Sequence, residues 1–381
     1  METANQEVAC IACGSMDSIK LPVPVCNQSM LSDGKIVAKS LEKKKCRHCG
    51  MISHCRQLTS SQVAALYSED YKLPVLSRQG DQERADLYCS VVLDTLGEKN
   101  ISGNCLDIGC GSGALLKKFI SLGGTGEFVG IDPALPPQIS ENTANVRLIE
   151  GLLEEVEFGV RRFDTIISIN TIEHVHDPEG FLCNANNLLS EDGNLIVICP
   201  SDNPANVELL FYDHLWTYTT AAMKRLAYNC ELEVIKAQPL EGQLKGFKIY
   251  HFKKKSIAQK HFSHPVFNEH DASHYLLNWV KLDEELLKCI GKGPEKLQIF
   301  GAGQMAALLR AYAPETFSAA QRLVVDDPLL AWPIGKTEKY NPSDQEGWVT
   351  VVAVHPRVGD LIAKRVVDDG GDAVVLPIGD R

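Results

Sequence analysis

Four cysteines and three glycines are the residues of this chain whose types and spacing can do chemistry. Cys10-x-x-Cys13 and Cys46-x-x-Cys49 supply two pairs of soft sulfur ligands, each followed directly by a glycine, Gly14 and Gly50. Four thiolates suit a tetrahedral Zn²⁺ ion, and the glycines let the chain reverse so that backbone N–H groups can turn toward the sulfurs. A segment this small needs the metal to fold, so zinc here is expected to be structural. Lys43, Lys44, Lys45, Arg47 and His48 surround the second pair, and their cations offset thiolate charge. Further along, an apolar run ends in Leu106-Asp107-Ile108 and breaks into Gly109, Gly111 and Gly113 at alternate positions. Such a turn lets backbone approach a ligand that side chains would push away, and the helix that follows offers free N–H groups. A second apolar run, Phe128 to Ile131, ends in Asp132, a carboxylate placed to accept hydrogen bonds from both hydroxyls of a ribose. These residues leave two ligands open, a dinucleotide and S-adenosylmethionine (SAM).

Several elements must position those groups. The glycines lie between a strand and a helix over Ala114 to Leu122, whose Leu115, Leu116, Phe119 and Ile120 recur at helical spacing. Val146 to Glu150 reads as a third strand, Phe163 to Asn170 as a fourth and Gly193 to Pro200 as a fifth. Leu232 to Ile235 and Phe247 to Phe252 read as a closing antiparallel pair. The pattern is a doubly wound α/β sheet, and its ligand belongs at the carboxyl ends of the strands. Upstream, Ser60-Ser61-Gln62 can cap a short helix, and a second helix is expected from Gln82 to Leu96, with Tyr67 and Tyr71 on the linker between them. Thr219 or Thr220 is expected to cap a helix through Ala227. The last part repeats the strand–glycine–helix theme. Leu297 to Phe300 leads into Gly301-Ala302-Gly303 and an Ala/Leu-rich helix, and Leu323 to Val325 ends in Asp326-Asp327. This second glycine turn is too short a unit for a full dinucleotide domain and is expected to hold the phosphates of a bulky substrate.

Leu106-Asp107-Ile108-Gly109-Cys110-Gly111-Ser112-Gly113 resembles the first motif of the class I SAM-dependent methyltransferases, and Glu173-His174-Val175-His176-Asp177-Pro178 resembles the segment after their fourth strand. With the cysteine knuckles in front and the small glycine-bearing unit behind, the order of parts resembles the sugar C-methyltransferases, which act on nucleotide-linked keto-deoxysugars. The resemblance implies a zinc-binding domain over 1–60, a helical linker over 61–102, a SAM-dependent methyltransferase domain over 103–255 and a C-terminal Rossmann-like substrate-binding domain over 256–381. Asp107, Gly109, Gly111, Gly113, Asp132, Leu152, Leu153, Asn170 and Thr171 would then line the SAM site, with Leu152 standing where relatives carry an acid. Relatives also carry Tyr-His-Glu-His after the fifth strand. Here the matching residues are Phe211-Tyr212-Asp213-His214, so His214 is the expected base, with Asp213, Tyr212 or Tyr71 orienting it or stabilising an enolate. His174 ranks second as base. Tyr67, Tyr71, Gly301 and Gly303 are the expected substrate contacts.

Composition narrows the classes. The 381 residues are 44% hydrophobic and 23% charged, enough to bury cores in two or three domains. A net charge of −11 argues against nucleic acid or a membrane surface as partner and leaves a small molecule, here a nucleotide sugar. The polar N-terminus has no signal-peptide core, and the thirteen cysteines, four of them in metal-like spacing, fit the cytoplasm. The oligomer expected is a monomer or homodimer. Two rivals stand beside C-methylation: an O- or N-methyltransferase of another metabolite, and a non-catalytic protein that binds SAM and zinc.

Overall fold

The computed structural model describes residues 8–67, 78–135, 145–255, 270–291, 295–332 and 334–378. Contacts divide the chain into two units. The first comprises Met1–Ile19, Lys44–Pro204 and Leu215–Asn268; the second comprises Lys20–Lys43, Ala205–His214 and Glu269–Arg381. This division differs from four consecutive segments. The chain between the cysteine pairs carries buried Leu21, Val23, Met30, Leu31 and Leu41, and it is grouped with the second unit rather than with the cysteines.

In the first unit a seven-stranded sheet contains β1 (Cys105–Ile108), β2 (Phe128–Asp132), β3 (Val146–Glu150), β4 (Phe163–Ile169), β5 (Leu189–Pro200), β6 (Leu232–Pro239) and β7 (Phe247–Lys254). Its order is β6-β7-β5-β4-β1-β2-β3. The pairs among β1 to β5 are parallel, and β7 is antiparallel to both β5 and β6. Parallel strands buried on both faces need apolar residues at successive positions, and the core divides accordingly. Leu106, Ile108, Val129, Ile131, Ile166, Leu195 and Val197 join one cluster. The alternate residues Cys105, Phe128, Ile167, Ile196 and Ile198 join the other. On the first face lie α4 (Pro178–Leu188), capped by Asp177 with Pro178 at its first position, and α5 (Thr220–Asn229), capped by Thr219. On the second face lie α2 (Arg78–Leu96) and α3 (Ala114–Ser121), the latter burying Leu115, Leu116 and Phe119. Helix α2 begins about a turn earlier than its apolar pattern suggests. Helix α1 (Ser60–Leu66) is capped by Thr59, not by the serines, because Thr59 and Gln62 form a reciprocal capping box.

A smaller sheet in the order Ser18–Lys20, Lys43–Cys46, Ile52–His54, Trp216–Thr217 carries the second cysteine pair. Cys46, Cys49, Met51 and Val63 share a core cluster with β1, β2, β4 and β5.

The second unit is built on β8 (Leu297–Phe300), β9 (Arg322–Val325), β10 (Thr337–Lys339), β11 (Val349–Val352) and β12 (Asp372–Val375). They form an all-parallel sheet in the order β10-β9-β8-β11-β12; α6 (His270–Ile290) precedes it, and α7 (Gln304–Tyr312), α8 (Pro314–Ala319) and α9 (Pro356–Asp368) lie in its connections. Among the described residues, no helix is long and apolar enough to cross a membrane.

Candidate cofactor pocket and metal centre

At the carboxyl end of β1 the chain turns at once, and Gly109 and Cys110 donate their N–H groups to Ile131 O on β2. Gly109 has φ +81°, and a Cβ there would strike the Thr171 hydroxyl. Thr171 Oγ1 itself donates to the carbonyls of Ile108 and Ile169, each at 3.2 Å, so it ties β4 to the turn. Gly111, at φ +52°, is different: nothing lies within 4 Å of where its Cβ would stand. The outer glycine serves packing, and the middle one faces open space.

Two buried carboxylates stand on the adjoining strands β1 and β2 at this end of the sheet. Asp132 accepts from Gly111 N through Oδ2 and from Ala134 N through Oδ1, both at 2.8 Å, and burial raises its pKa. Each oxygen keeps a second lone pair for a ligand hydroxyl. Asp107 is only 3% exposed, and burial first, then the Asp132 charge, pushes it up to about 7. Two buried acids favour a cationic ligand and oppose a pyrophosphate, so this pocket suits the sulfonium and ammonium of SAM better than a dinucleotide. Asn170 closes the same strand end with φ +52°; its Nδ2 donates to Tyr88 Oη at 3.1 Å, while its buried Oδ1 has no hydrogen-bond partner among the described residues and can receive a ligand donor. Leu153 is buried in the core and Leu152 is 41% exposed, so the pair expected to line the SAM site is split.

After Asn170 the chain is pinned from several sides. Ile172 O accepts from Tyr218 Oη at 2.8 Å and Val175 O from Trp216 Nε1 at 2.7 Å. Leu215 N and Trp216 N both donate to Glu173 O. Tyr67 meets His174 edge-on, with ring centroids 5.9 Å apart. One expected substrate contact and the second-ranked base are therefore neighbours. Sequence reasoning passed over Glu173, which is fully buried; that burial was the missing information. Tyr71 lies outside the described residues.

The four cysteines converge. Cys10 Sγ lies 3.5 Å from Cys49 Sγ, Cys13 Sγ lies 3.5 Å from Cys46 Sγ, and all four sulfurs fall within 4.8 Å of one another. A zinc ion with ordinary Zn–S distances would separate its sulfurs by about 3.8 Å, so the cluster fits it. Gly14 and Gly50, at φ +71° and +76°, reverse the chain after each pair, as their positions in the sequence suggest. Hydrogen bonding among the thiols pulls Cys46 well down and pushes Cys10 up to about 12. A divalent cation would replace those shared protons. Lys43 is not part of the charge offset: it is 1% exposed and donates to His214 O within the second unit.

The other expected site residues belong to the second unit. Val207–Leu210 is a single 3-10 turn capped by Asn206, and it places Glu208 Oε2 3.3 Å from His214 Nδ1. His214 also stands edge-on to Phe211 with centroids 5.0 Å apart. Burial, then Asp213, pushes Glu208 up to about 8. Asp213 accepts from Ser32 N at 2.8 Å and Ser32 Oγ at 2.6 Å, so Glu208 is the acid beside the His214 ring nitrogen. Tyr212 is 8% exposed and donates its N–H to Met30 O. Gly301, at φ +120°, packs where a Cβ would strike Ala353 O, whereas Gly303 faces open space before α7. Asp326, at the end of β9, pairs with Arg365 at 3.0 Å.

If the cluster holds zinc, metal analysis of the full chain should find a stoichiometric ion, and Cys46→Ser should lose it. Chelation should also loosen the first unit, because Cys46 and Cys49 lie in its core. Zinc content unchanged in Cys46→Ser would refute the assignment.

A family model described as a methyltransferase domain matches residues 81–237. A ubiquinone biosynthesis O-methyltransferase of Azorhizobium caulinodans is 35% identical over 98 residues, covering 24% of this chain and 38% of that protein. A demethylmenaquinone methyltransferase of Tropheryma whipplei is 27% identical over 190 residues, covering 47% of this chain and 74% of that protein. Among solved structures, the Burkholderia thailandensis 1,6-didemethyltoxoflavin N1-methyltransferase with bound S-adenosylhomocysteine aligns at TM-score 0.43 and 17% identity, over 56% of this chain and 96% of that one. Between residues 81 and 237 the chain is thus similar to methyltransferase domains, and its seven-stranded sheet has the class I SAM methyltransferase fold.

Proposed function

We propose that the first unit binds SAM and that the protein transfers its methyl group to a small molecule. The observation that carries this reading is the pair of buried carboxylates, Asp107 and Asp132, beside the open face of Gly111. Bound SAM supplies an electrophilic methyl on a sulfonium. Asp132 receives the ribose hydroxyls, Asp107 balances positive charge, and Asn170 Oδ1 accepts from the ligand. Holding the acceptor in line is then much of the catalysis.

The finer proposal is C-methylation of a nucleotide-linked keto-deoxysugar, and it rests on the sequence resemblance. In it, His214 Nδ1 is held by Glu208, and Nε2 removes the proton α to the ketone. Gly303 and the N-terminus of α7 receive the nucleotide phosphates. A second reading is O- or N-methylation of another small metabolite, with His174 beside Tyr67 as the base, and the curated relatives' names favour a quinone-like acceptor for it.

Asp132→Ala should weaken SAM by roughly 1.5–3 kcal/mol, the range for a charge-assisted hydrogen bond, and calorimetry giving unchanged affinity would remove its ribose role. The Asp107 pKa of about 7 sets a pH signature. Ionisation as pH rises through that value adds negative charge for a cationic ligand, so affinity should climb up to about tenfold between about pH 6 and about pH 8, and Asp107→Asn should flatten the profile. The same raised pKa means that the ligand-free protein loses stability as pH rises from the ordinary aspartate value of about 3.9 through about 7. His214→Ala should keep SAM affinity and lose about 10²–10⁴-fold in methyl transfer. Near-normal transfer in that variant would move the assignment to heteroatom methylation.

A further inference from the structure

Two of the cysteines outside the metal cluster are joined. Cys183, in the middle of α4, forms a disulfide with Cys230, the residue that ends α5. Their separation of 47 residues gives no sign in the sequence that they meet. Their surroundings also suit the reduced pair. Cys230 Sγ lies 3.1 Å from the carbonyl of Glu179, one helical turn before Cys183, so a Cys230 thiol would have an acceptor at hand. Asn229 Nδ2 donates to Glu179 Oε2 at 2.9 Å and Asn186 Nδ2 to Cys230 O at 3.0 Å, so polar contacts keep the two helices in register.

Both helices lead directly out of the candidate pocket. α4 starts at Asp177, immediately after Glu173-His174-Val175-His176. α5 starts at Thr219, next to Tyr218, whose hydroxyl holds Ile172 O. Thr219 Oγ1 in turn donates to the carbonyl of Cys49, in the metal cluster. The same unit therefore holds a disulfide and a four-thiol cluster that can bind metal only when reduced. Surroundings that keep those four sulfurs reduced also reduce an accessible disulfide, which argues for a bond that opens and closes rather than a permanent staple.

We propose that Cys183 and Cys230 are a reversible oxidation site, and that closing the bond clamps α4 to α5 and steadies the pinned segment 172–177, strengthening SAM binding. The second half rests on the cofactor reading above. With a low-molecular-mass disulfide such as glutathione disulfide as oxidant, the half-exposed Cys183 thiolate attacks first, forming a mixed disulfide and releasing one glutathione. The Cys230 thiolate, 3% exposed and reachable only from inside, then displaces the second glutathione and closes the bond. Two electrons pass to glutathione disulfide, and the two thiol protons leave on the two glutathione molecules.

The test uses the full zinc-loaded chain equilibrated in buffers of graded glutathione to glutathione-disulfide ratio. Thiols are trapped by alkylation and mapped by mass spectrometry, zinc is measured, and SAM is titrated calorimetrically in each state. Cys183 and Cys230 should pass together from alkylated to linked with zinc retained. SAM should bind about fivefold or more tightly in the linked state, within the usual span of coupling between sites. Cys183→Ala should hold the reduced-state affinity in every buffer. Both thiols alkylated in the most oxidising buffer, a bond that survives millimolar glutathione, or affinities equal within about twofold in wild-type protein would each overturn the proposal. Absence of SAM binding in both states would bring down the cofactor reading and the coupling with it, while the thiol map would still decide whether the pair is a reversible site.

Discussion

Burying negative charge at the edge of an apolar sheet is the constraint on which the rest of this unit depends. Asp107 and Asp132 stand at the ends of neighbouring strands whose other residues are almost wholly buried, so neither acid is well solvated. Two backbone N–H groups ease Asp132, and one of them comes from Gly111. The glycine turn is therefore shaped partly by the acid it serves: the left-handed backbone that leaves space for a ligand also aims an N–H at the carboxylate. Burial and the Asp132 charge push Asp107 up to about 7 against the opposing pull of Arg84, which makes the open side of the turn a place where positive charge is welcome.

The small cysteine-bearing sheet does more than gather four thiols. Its fourth strand, Trp216–Thr217, comes from far along the chain, pairs with Ile52–His54, and carries the indole that holds Val175 O. Tyr218 and Thr219 continue the same path to Ile172 and Cys49. The segment after β4 is thus braced by residues whose own positions depend on the cysteine knuckles. Its geometry is a property of the whole unit rather than of the strand it follows.

Local chemistry was legible in the sequence where it is written in backbone terms. Alternate glycines, the acid ending β2, the paired cysteines with trailing glycines, and Thr219 as a cap all reflect short-range requirements, and each stands where its residue type demanded. Long-range partnerships were not legible. Nothing local marks Glu208 as the neighbour of His214, since a 3-10 turn of four residues leaves no periodicity, and Asp213, next in sequence, was the natural choice. Lys43 looks like one more cation in a basic run until its burial and its bond to His214 O are seen. Leu152 and Leu153 are adjacent and chemically alike, yet a turn sends one to solvent and the other to the core. The disulfide is of the same kind: two helices had to be packed before its cysteines could be seen to meet.

The chain passes from one unit to the other at 19/20, 43/44, 204/205, 214/215 and 268/269. Neither unit is a continuous stretch that could be cut out by choosing two ends. During synthesis the residues from 20 to 43 emerge early, but the sheet of their own unit begins only at Leu297, so they must wait for most of the chain. Contacts of such large sequence separation slow folding, because loop entropy is lost before the contacts that offset it are made. Met30 and Leu31 are buried in the finished fold, where Met30 O accepts from Tyr212 N far along the chain. A chain interleaved in this way cannot be shortened before Leu297 without leaving residues 20–43 apart from the sheet of their own unit.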